Sequence, residues 1–200
     1  MADKLNAGIE ALRSPGDPFE AYSRATALFY YSPEDTYSLI TQRLKYSRDF
    51  KLGREIASVL GRRMAESPLW TDVDALVPVP LHRSRRWRRG YNQAEVICEA
   101  LSGVLPRASV FPNVLKRVRR TRSQTVLGYE EKKLNVKGAF KVNVRETERM
   151  IGALGTEKPH IAIVDDVFTT GATISECHRA LRLALGPNIR ISAVTLACWQ

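Results

Sequence analysis

The sequence predicts an α/β protein built on a parallel β-sheet flanked by helices. The run from Ile161 to Val164 is apolar at every position, which is typical of a strand buried on both faces. A short polar loop follows it, and apolar residues then recur at helical spacing through Leu185. A second apolar run, Asp74 to Val79, is also followed by a loop and a helical pattern. Strands that alternate with helices in this way form parallel sheets.

The N-terminal part predicts a small strand–helix–helix extension, residues 1–70, packed on a main domain of residues 71–200. Residues 24–31 are apolar and aromatic and predict a strand, which ends at Ser32-Pro33. Apolar residues at helical spacing predict helices over 35–46 and 50–64. We expect residues 1–22 to be weakly ordered.

The main domain is predicted to alternate strands, helices and loops. The strand over 74–79 is bounded by Pro78 and Pro80 and leads into a basic loop that ends near Gly90. The remaining predicted elements are a helix over 94–105, a strand over 114–118, a mobile loop over 119–129, a short helix over 130–134, a strand over 136–142, a charged connector over 143–158, the strand over 160–164, the helix through Leu185 and a final strand over 189–198.

The loop after the strand over 160–164 carries the clearest chemical signal. Asp165 and Asp166 close the strand, and Thr169-Thr170-Gly171-Ala172-Thr173 opens the next helix. Free backbone N–H groups at a helix start bind phosphate, and the glycine allows a ligand to approach closely. Paired carboxylates suit sugar hydroxyls and hydrated Mg²⁺. The pattern predicts a sugar-phosphate site, and it matches neither a Walker A loop nor a dinucleotide fingerprint.

Positive charge is concentrated in two short segments. The net charge is +10, and one cluster of arginines surrounds Trp87 at positions 83, 85, 86, 88 and 89. A second cluster comprises Lys116, Arg117, Arg119, Arg120 and Arg122. Such clusters suit diphosphate or a nucleic-acid backbone, although a solvated basic face has the same composition. Trp87 is compatible with base stacking and equally with a core anchor.

Composition limits the remaining function classes. No apolar run approaches the roughly 20 residues that span a bilayer, and no secretory signal is visible, so we expect a cytoplasmic protein. Cys98, Cys177 and Cys198 are scattered without paired spacing, which favours packed, reduced thiols. We expect no transition metal held by the protein.

The motif from Val164 to Thr173 resembles the phosphoribosyl pyrophosphate (PRPP) motif of type I phosphoribosyltransferases. The segments 76–82, 89–94, 117–124 and 135–140 resemble the ComF family, and the likeness spans residues 27–198. It implies the type I phosphoribosyltransferase fold, a twisted parallel sheet with helices on both faces. ComF proteins are linked to natural competence and the uptake of single-stranded DNA, and relatives are often labelled amidophosphoribosyltransferase-like.

The chain departs from the family pattern at two points. Many family members begin with a four-cysteine zinc knuckle, whereas no cysteine precedes Cys98, so that module is missing here or was not included. Lys132 stands where the family usually has arginine, which keeps the charge and loses the bidentate fork.

The resemblance implies a pentosyl transferase that moves ribosyl 5-phosphate from PRPP, with Mg²⁺–diphosphate as the leaving group. Asp165 and Asp166 would hold the ribose hydroxyls and hydrated Mg²⁺, and Arg122 and Gln124 would lie on a flexible loop. The 5-phosphate is assigned to Thr169, Thr170, Gly171, Ala172 and Thr173. The diphosphate is assigned to Val79, Pro80, Leu81, His82, Arg83 and Arg89.

Several alternatives stay open. The acceptor could be a base, an amine, ammonia or none, because no general base stands out beyond His82, which is also compatible with a packed histidine. A non-catalytic PRPP sensor, a single-stranded DNA-binding competence factor and a degenerate relic share the same sequence features. Single-stranded DNA and a second copy of the chain, as a homodimer, remain candidate partners.

Overall fold

A parallel sheet organises the part of the chain that the computed structural model describes, namely residues 24–31, 39–40, 42–44, 49–121, 129–156 and 158–199. Its strands are β1 (Ala25–Tyr31), β2 (Ala75–Pro78), β3 (Ser109–Val110), β6 (His160–Phe168) and β7 (Arg190–Trp199). They run in the order β1-β7-β6-β2-β3, and each neighbouring pair is parallel. Two further strands, β4 (Leu115–Arg117) and β5 (Phe140–Val142), form an antiparallel ribbon.

Helices cover both faces of the sheet, as predicted. The described helices are α1 (Phe50–Ala65), α2 (Arg83–Arg89), α3 (Gln93–Ser102), α4 (Tyr129–Val136), α5 (Val144–Leu154) and α6 (Ala172–Leu185). On one face, Ile174 and Leu181 of α6 and Met150 of α5 pack against Ile161 and Ile163. On the other face, helices α1 and α3 pack against Ala162 and Val164. Alternate residues of β6 therefore belong to two separate cores, which is why its apolar run is continuous.

Three predictions in the main domain were wrong. The basic loop is helix α2, because arginine favours helices, His82 caps the start and Gly90 ends it at φ 84°. The charged connector contains α5, whose buried Thr147 and Met150 lie three residues apart on one face. Strand β6 runs on to Phe168 rather than closing at Asp165 and Asp166, because β7 pairs with it as far as Phe168.

Several predicted boundaries also shifted. Residues 136–139 were assigned to a strand, but α4 extends through Val136 and β5 begins only at Phe140. Strand β3 was not predicted at all, since it has only two residues. The remaining strands and helices were predicted within a few residues of their observed bounds, except that α3 ends at Ser102 rather than at 105.

The N-terminal strand β1 is part of the main sheet. It forms the edge beside β7, with Ala25 opposite Ala193 and Tyr30 opposite Cys198. Residues 39–40 and 42–44 are helical, and the rest of the helix predicted over 35–46 lies outside the described residues, as do residues 1–22. The division at residue 70 stays a prediction. No helix in the described ranges is long and apolar enough to cross a membrane.

Candidate functional site

The site lies where the sheet changes winding direction. From β2 the chain passes through α3 to β3 on one side, whereas from β6 it passes through α6 to β7 on the other side. In open α/β sheets, ligands bind in the crevice that this reversal opens at the carboxyl ends of the strands. Strands β2 and β6 are parallel neighbours, with Pro78 opposite Val164. The segments that follow β2 and β6 therefore begin at the same edge of the sheet.

The cradle, residues 169–173, is the turn at which α6 begins. Gly171 precedes the helix in the left-handed region, at φ 73°, and has no side chain with which to cap it. Beside it, the Thr170 hydroxyl oxygen is buried and has no hydrogen-bond partner among the described residues. Thr169 and Thr173 are half-buried at the same turn, and Ala172 is buried. This end of the helix carries the positive pole of its dipole, so the turn is suited to an anion.

The two acids of the motif lie beyond the last residue of β2 and point to opposite faces of the sheet. Successive side chains in a strand alternate, and both acids lie inside β6. Asp166 is buried and accepts a hydrogen bond from Gln93 Nε2 of α3, with 3.4 Å between the heavy atoms. Asp165 is half-buried on the face covered by α6. Burial raises the pKa of the nearby Cys177 thiol, and the negative charge of Asp165 raises it further.

Two buried amides connect the loop after β2 to the acids, and sequence reasoning did not assign them to the site. Asn92 donates to the carbonyl oxygen of Val79 at 3.0 Å, and its side-chain oxygen caps α3 at Ala94 N. Gln93 accepts from Arg89 Nη1 at 2.6 Å and donates to Asp166. The sequence does contain a sign of this arrangement, because Asn92 and Gln93 are polar residues directly before an apolar helical pattern. An asparagine in that position is typical of an N-cap, and Gln93 is then the first residue of the helix.

The residues assigned to the diphosphate are distributed between the sheet and helix α2. Val79 is buried, and its N–H donates to the carbonyl oxygen of Val164 at 2.8 Å. Pro80 and Leu81 are half-buried. His82 accepts a hydrogen bond from Ser84 N at 3.3 Å, so it serves as the cap of α2. Arg83 is exposed at the first turn of α2, and Arg89 lies at its last turn against Gln93.

Arg117 of β4 is a further basic residue at the site. Burial and then the nearby charge of Arg85 lower the pKa of its guanidinium, while the charge of Asp165 acts in the opposite direction. The guanidinium lies 5.1 Å from the centroid of the Phe140 ring. Arg122 and Gln124, assigned to the flexible loop, lie outside the described residues.

Helix α2 presents the most exposed aromatic side chain of the described residues. The side chain of Trp87 is 89% exposed, so the core-anchor interpretation is wrong. Arg83, Arg86 and Arg88 are exposed around it, and Arg86 forms an ion pair with Glu95 of α3. The remaining arginines of the helix, Arg85 and Arg89, are half-buried and point toward the rest of the site.

The three cysteines are buried thiols. Burial raises the pKa of Cys98 and Cys177 well above the ordinary value, which keeps both protonated and unreactive. No group of three or more His, Cys, Asp or Glu side chains that could hold a metal ion occurs within the ranges that the structure describes.

Comparison with known proteins gives relatives named for competence and DNA utilization. Competence protein F of Haemophilus influenzae is 34% identical over 148 residues, which are 72% of this chain and 61% of that protein. DNA utilization protein YhgH of Salmonella typhi is 32% identical over 184 residues, which are 89% of this chain and 71% of that protein. Competence protein ComFC of Bacillus subtilis is 28% identical over 60% of this chain and 43% of its own length. No protein-family model matches the chain.

Proposed function

Since the chain belongs to the ComF family, we propose that it has a competence-related role and that its β2–β6 crevice binds Mg²⁺–PRPP. The observation that carries the ligand assignment is the cradle at α6. There, the left-handed Gly171 and the buried Thr170 hydroxyl, which has no hydrogen-bond partner among the described residues, follow the strand that carries both carboxylates. If a phosphate binds at this turn and a ribose binds at the acids, a single ligand that contains both groups is a ribose 5-phosphate derivative.

The segment from Thr169 to Thr173 binds the 5-phosphate. Backbone N–H groups at the helix start and the threonine hydroxyls donate to the phosphate oxygens. Gly171 supports this role in two ways. It adopts a positive φ, and because it has no side chain, a phosphate can approach its backbone closely.

The carboxylates of Asp165 and Asp166 hold the ribose hydroxyls and hydrated Mg²⁺. Both are hard oxygen donors, which fits Mg²⁺, an ion that keeps several waters and is held by few carboxylates together with ligand phosphates. The bound Mg²⁺ would supply positive charge to the leaving diphosphate. Gln93 donates to Asp166 and so orients its carboxylate.

The proposed reaction breaks the bond between the anomeric carbon and the diphosphate and joins the ribosyl 5-phosphate to an acceptor. The chain's own groups position the sugar phosphate, keep water from the buried side of the crevice and place negative charge near a sugar that becomes positively charged. The acceptor stays open between a base, an amine and ammonia. Binding without transfer would make the same site a PRPP sensor.

Calorimetry with PRPP, with and without Mg²⁺, tests the ligand assignment. We expect Mg²⁺-dependent binding that is lost in an Asp165→Asn/Asp166→Asn variant and kept in Glu148→Gln, which removes one exposed charge from α5. Absence of both heat and thermal stabilisation at millimolar PRPP would contradict the proposal, because a ligand of the native state must raise its stability. Diphosphate release in the presence of candidate acceptors then separates a transferase from a sensor.

A second candidate function, single-stranded DNA binding, is favoured by the exposed Trp87 among the arginines of α2. Bases stack on aromatic rings while arginines contact the phosphates. We expect Trp87→Ala to weaken binding by roughly 10-fold, since a stacked base contributes about 1–3 kcal/mol. Leu69→Ala removes an exposed apolar side chain outside α2 and should change nothing. Affinity independent of salt would contradict phosphate contacts.

A further inference from the structure

The antiparallel β4–β5 ribbon places two lysines directly opposite each other. Lys116 of β4 is the cross-strand partner of Lys141 of β5. Opposite residues in such a ribbon have Cβ atoms about 4.5–5.5 Å apart, and like charges at these positions are destabilising. Both lysines are exposed, and neither forms an ion pair within the described residues. The ribbon therefore carries an unfavourable pair of positive charges that an external anion would relieve.

The packing of the ribbon fixes the direction in which these lysines point. Leu115 and Phe140 are buried in the core that α6 covers. Arg117 lies on the same inner face, with its guanidinium 5.1 Å from the centroid of the Phe140 ring. Because successive side chains in a strand point to opposite faces, Lys116 points away from this core, as does Val118, which is 50% exposed. We call Lys116, Val118 and Lys141 the outer ribbon face.

The ribbon adjoins the basic helix α2. Arg85 of α2 donates from Nη2 to the carbonyl oxygen of Thr121 at 3.0 Å. Arg117 of β4 donates from Nη2 to the hydroxyl of the same threonine, which is 4% exposed. Helix α2 and the end of β4 therefore meet at a buried residue. The two basic clusters, which are separate in the sequence, are neighbours in the structure.

Exposed positive charge is present on both elements. Arg83 and Arg88 of α2 and Arg120 after β4 are exposed and form no ion pair in the part of the chain that the structure describes. By contrast, Arg149 of α5 is exposed and pairs with Glu146 at 2.6 Å. Cations without an internal partner can bind a polyanion and release its counterions, and no salt bridge has to break first.

We propose that the outer ribbon face is the phosphate-binding part of a single-stranded DNA site whose base-stacking part is Trp87 of α2. The inference rests on the DNA binding proposed above and extends it to the ribbon. Trp87 is 89% exposed, and a base is free to stack on its ring when the strand is single. Lysine ammonium groups contact phosphates as point charges and read no base edge, so the site accepts any sequence.

The test measures binding of a thymidine oligonucleotide of about 16 nucleotides to the full chain at several salt concentrations. In Lys116→Gln and in Lys141→Gln we expect roughly 3–10-fold weaker binding at low salt. The slope of log affinity against log salt should also become shallower by about 0.7, the value for one phosphate contact on a single strand. Trp87→Ala should weaken binding and keep the slope, since stacking releases no counterions.

Arg62→Gln is the matched control. It removes one exposed positive charge from α1, which packs on the other face of the sheet, and should change neither affinity nor slope. Both lysine variants should melt no lower than the wild type, because each removes a repulsion between like charges.

The outcomes separate this inference from the function it rests on. Unchanged affinity and slope in both lysine variants, together with weaker binding by Trp87→Ala, would overturn the inference and leave DNA binding at α2 intact. Equal displacement of the oligonucleotide by polyglutamate of the same charge would also overturn it, because the surface would then accept any polyanion. Failure of the wild-type chain to bind the oligonucleotide at low salt would overturn both proposals.

Discussion

Gln93 donates a hydrogen bond to Asp166 across the crevice, joining residues that are 73 positions apart in the chain. The same amide accepts from Arg89, so both ends of the Gln93 side chain are used. Arg89 is a donor and needs an acceptor on residue 93, whereas the Asp166 carboxylate is an acceptor and needs a donor there. The amide of glutamine provides both groups. The amide thereby connects the basic helix α2 to the acid pair on β6.

Substitution of Gln93 should separate its two contacts. Gln93→Glu still accepts from Arg89 but places a second carboxylate against Asp166, and like charges raise the pKa of one of the pair. We expect Mg²⁺–PRPP binding by this variant to be weaker by roughly 10-fold or more at neutral pH and to recover as the pH falls. Gln93→Leu should lose affinity without that recovery.

Glu99→Gln provides the control for Gln93, since Glu99 lies exposed on the same helix. Its affinity should equal that of the wild type at every pH. A Gln93→Glu variant whose binding varies with pH as the wild type does would show that the amide does not act on Asp166.

Gly171→Ala tests the cradle at α6. An alanine at φ 73° costs roughly 1–2 kcal/mol, and its methyl group would also lie where the phosphate approaches. We therefore expect reduced stability in urea together with loss of ribose 5-phosphate binding. Gly155→Ala is the matched control, because Gly155 has a similar left-handed conformation, at φ 59°, and open space around it at the end of α5. Gly155→Ala should lose a comparable amount of stability and still bind ribose 5-phosphate. If both variants lost binding, the loss in Gly171→Ala would be explained by reduced stability rather than by the cradle.

Secondary-structure elements that depend on a local pattern of apolar residues could be predicted from the sequence. The apolar run at 161–164 predicted β6 because both of its faces are buried, and the period of apolar residues predicted α6 through Leu185. Parallel pairing of β2 and β6 brings the segments that follow these strands to one edge of the sheet.

Features that depend on tertiary register were not accessible from the sequence. Asp165 and Asp166 point to opposite faces because β7 extends β6 by four residues beyond Val164. The contact of Gln93 with Asp166 depends on how α3 packs against the sheet. The convergence of Arg85 and Arg117 on Thr121 joins α2 to the β4–β5 ribbon. Arginine runs also have no apolar period, so α2 could not be recognised as a helix.

Two glycines in helices should respond to alanine in opposite directions. At Gly152 of α5, no atom lies within 4 Å of the position that a methyl group would occupy, so Gly152→Ala should stabilise the protein by about 0.5–1 kcal/mol. At Gly61 of α1, a methyl group would lie 3.2 Å from Val104 Cβ, an atom fixed to the backbone. Overpacking there costs typically 1–3 kcal/mol, so Gly61→Ala should be destabilising on balance. Urea unfolding measures both, and a stabilised Gly61→Ala would mean that Val104 can move away from α1 at little cost.

A buried histidine at the opposite edge of the sheet should make stability depend on pH. His160 is fully buried, with Nδ1 2.8 Å from Asp72 Oδ1 and Nε2 2.7 Å from Ser192 Oγ. Burial lowers its pKa below 6.5, although the hydrogen bond to Asp72 opposes the shift. The imidazole of residue 160 therefore binds a proton more readily in the unfolded chain than in the native state. The stability that the neutral ring provides is present in full above pH 6.5 and should be lost as the pH falls below that value.

Asp72 contributes in a different pH range. Burial would raise its pKa, but hydrogen bonds from His160 and Arg190 outweigh burial and hold the pKa below the ordinary 3.8. The stability that this carboxylate provides is therefore lost only in more acidic solution, through its lowered pKa. Between about pH 5.5 and pH 8, the slope of stability against pH from this cluster belongs to His160.

Urea unfolding of His160→Gln and Ser192→Ala between about pH 5.5 and pH 8 tests the origin of that slope. Glutamine can donate and accept but does not titrate, so we expect a flatter dependence on pH. Ser192→Ala removes one partner of the ring, costs roughly 1–3 kcal/mol at every pH and leaves the titrating group in place, so the slope should persist. A His160→Gln slope equal to that of the wild type would contradict this assignment, because the proton taken up on unfolding would then bind elsewhere.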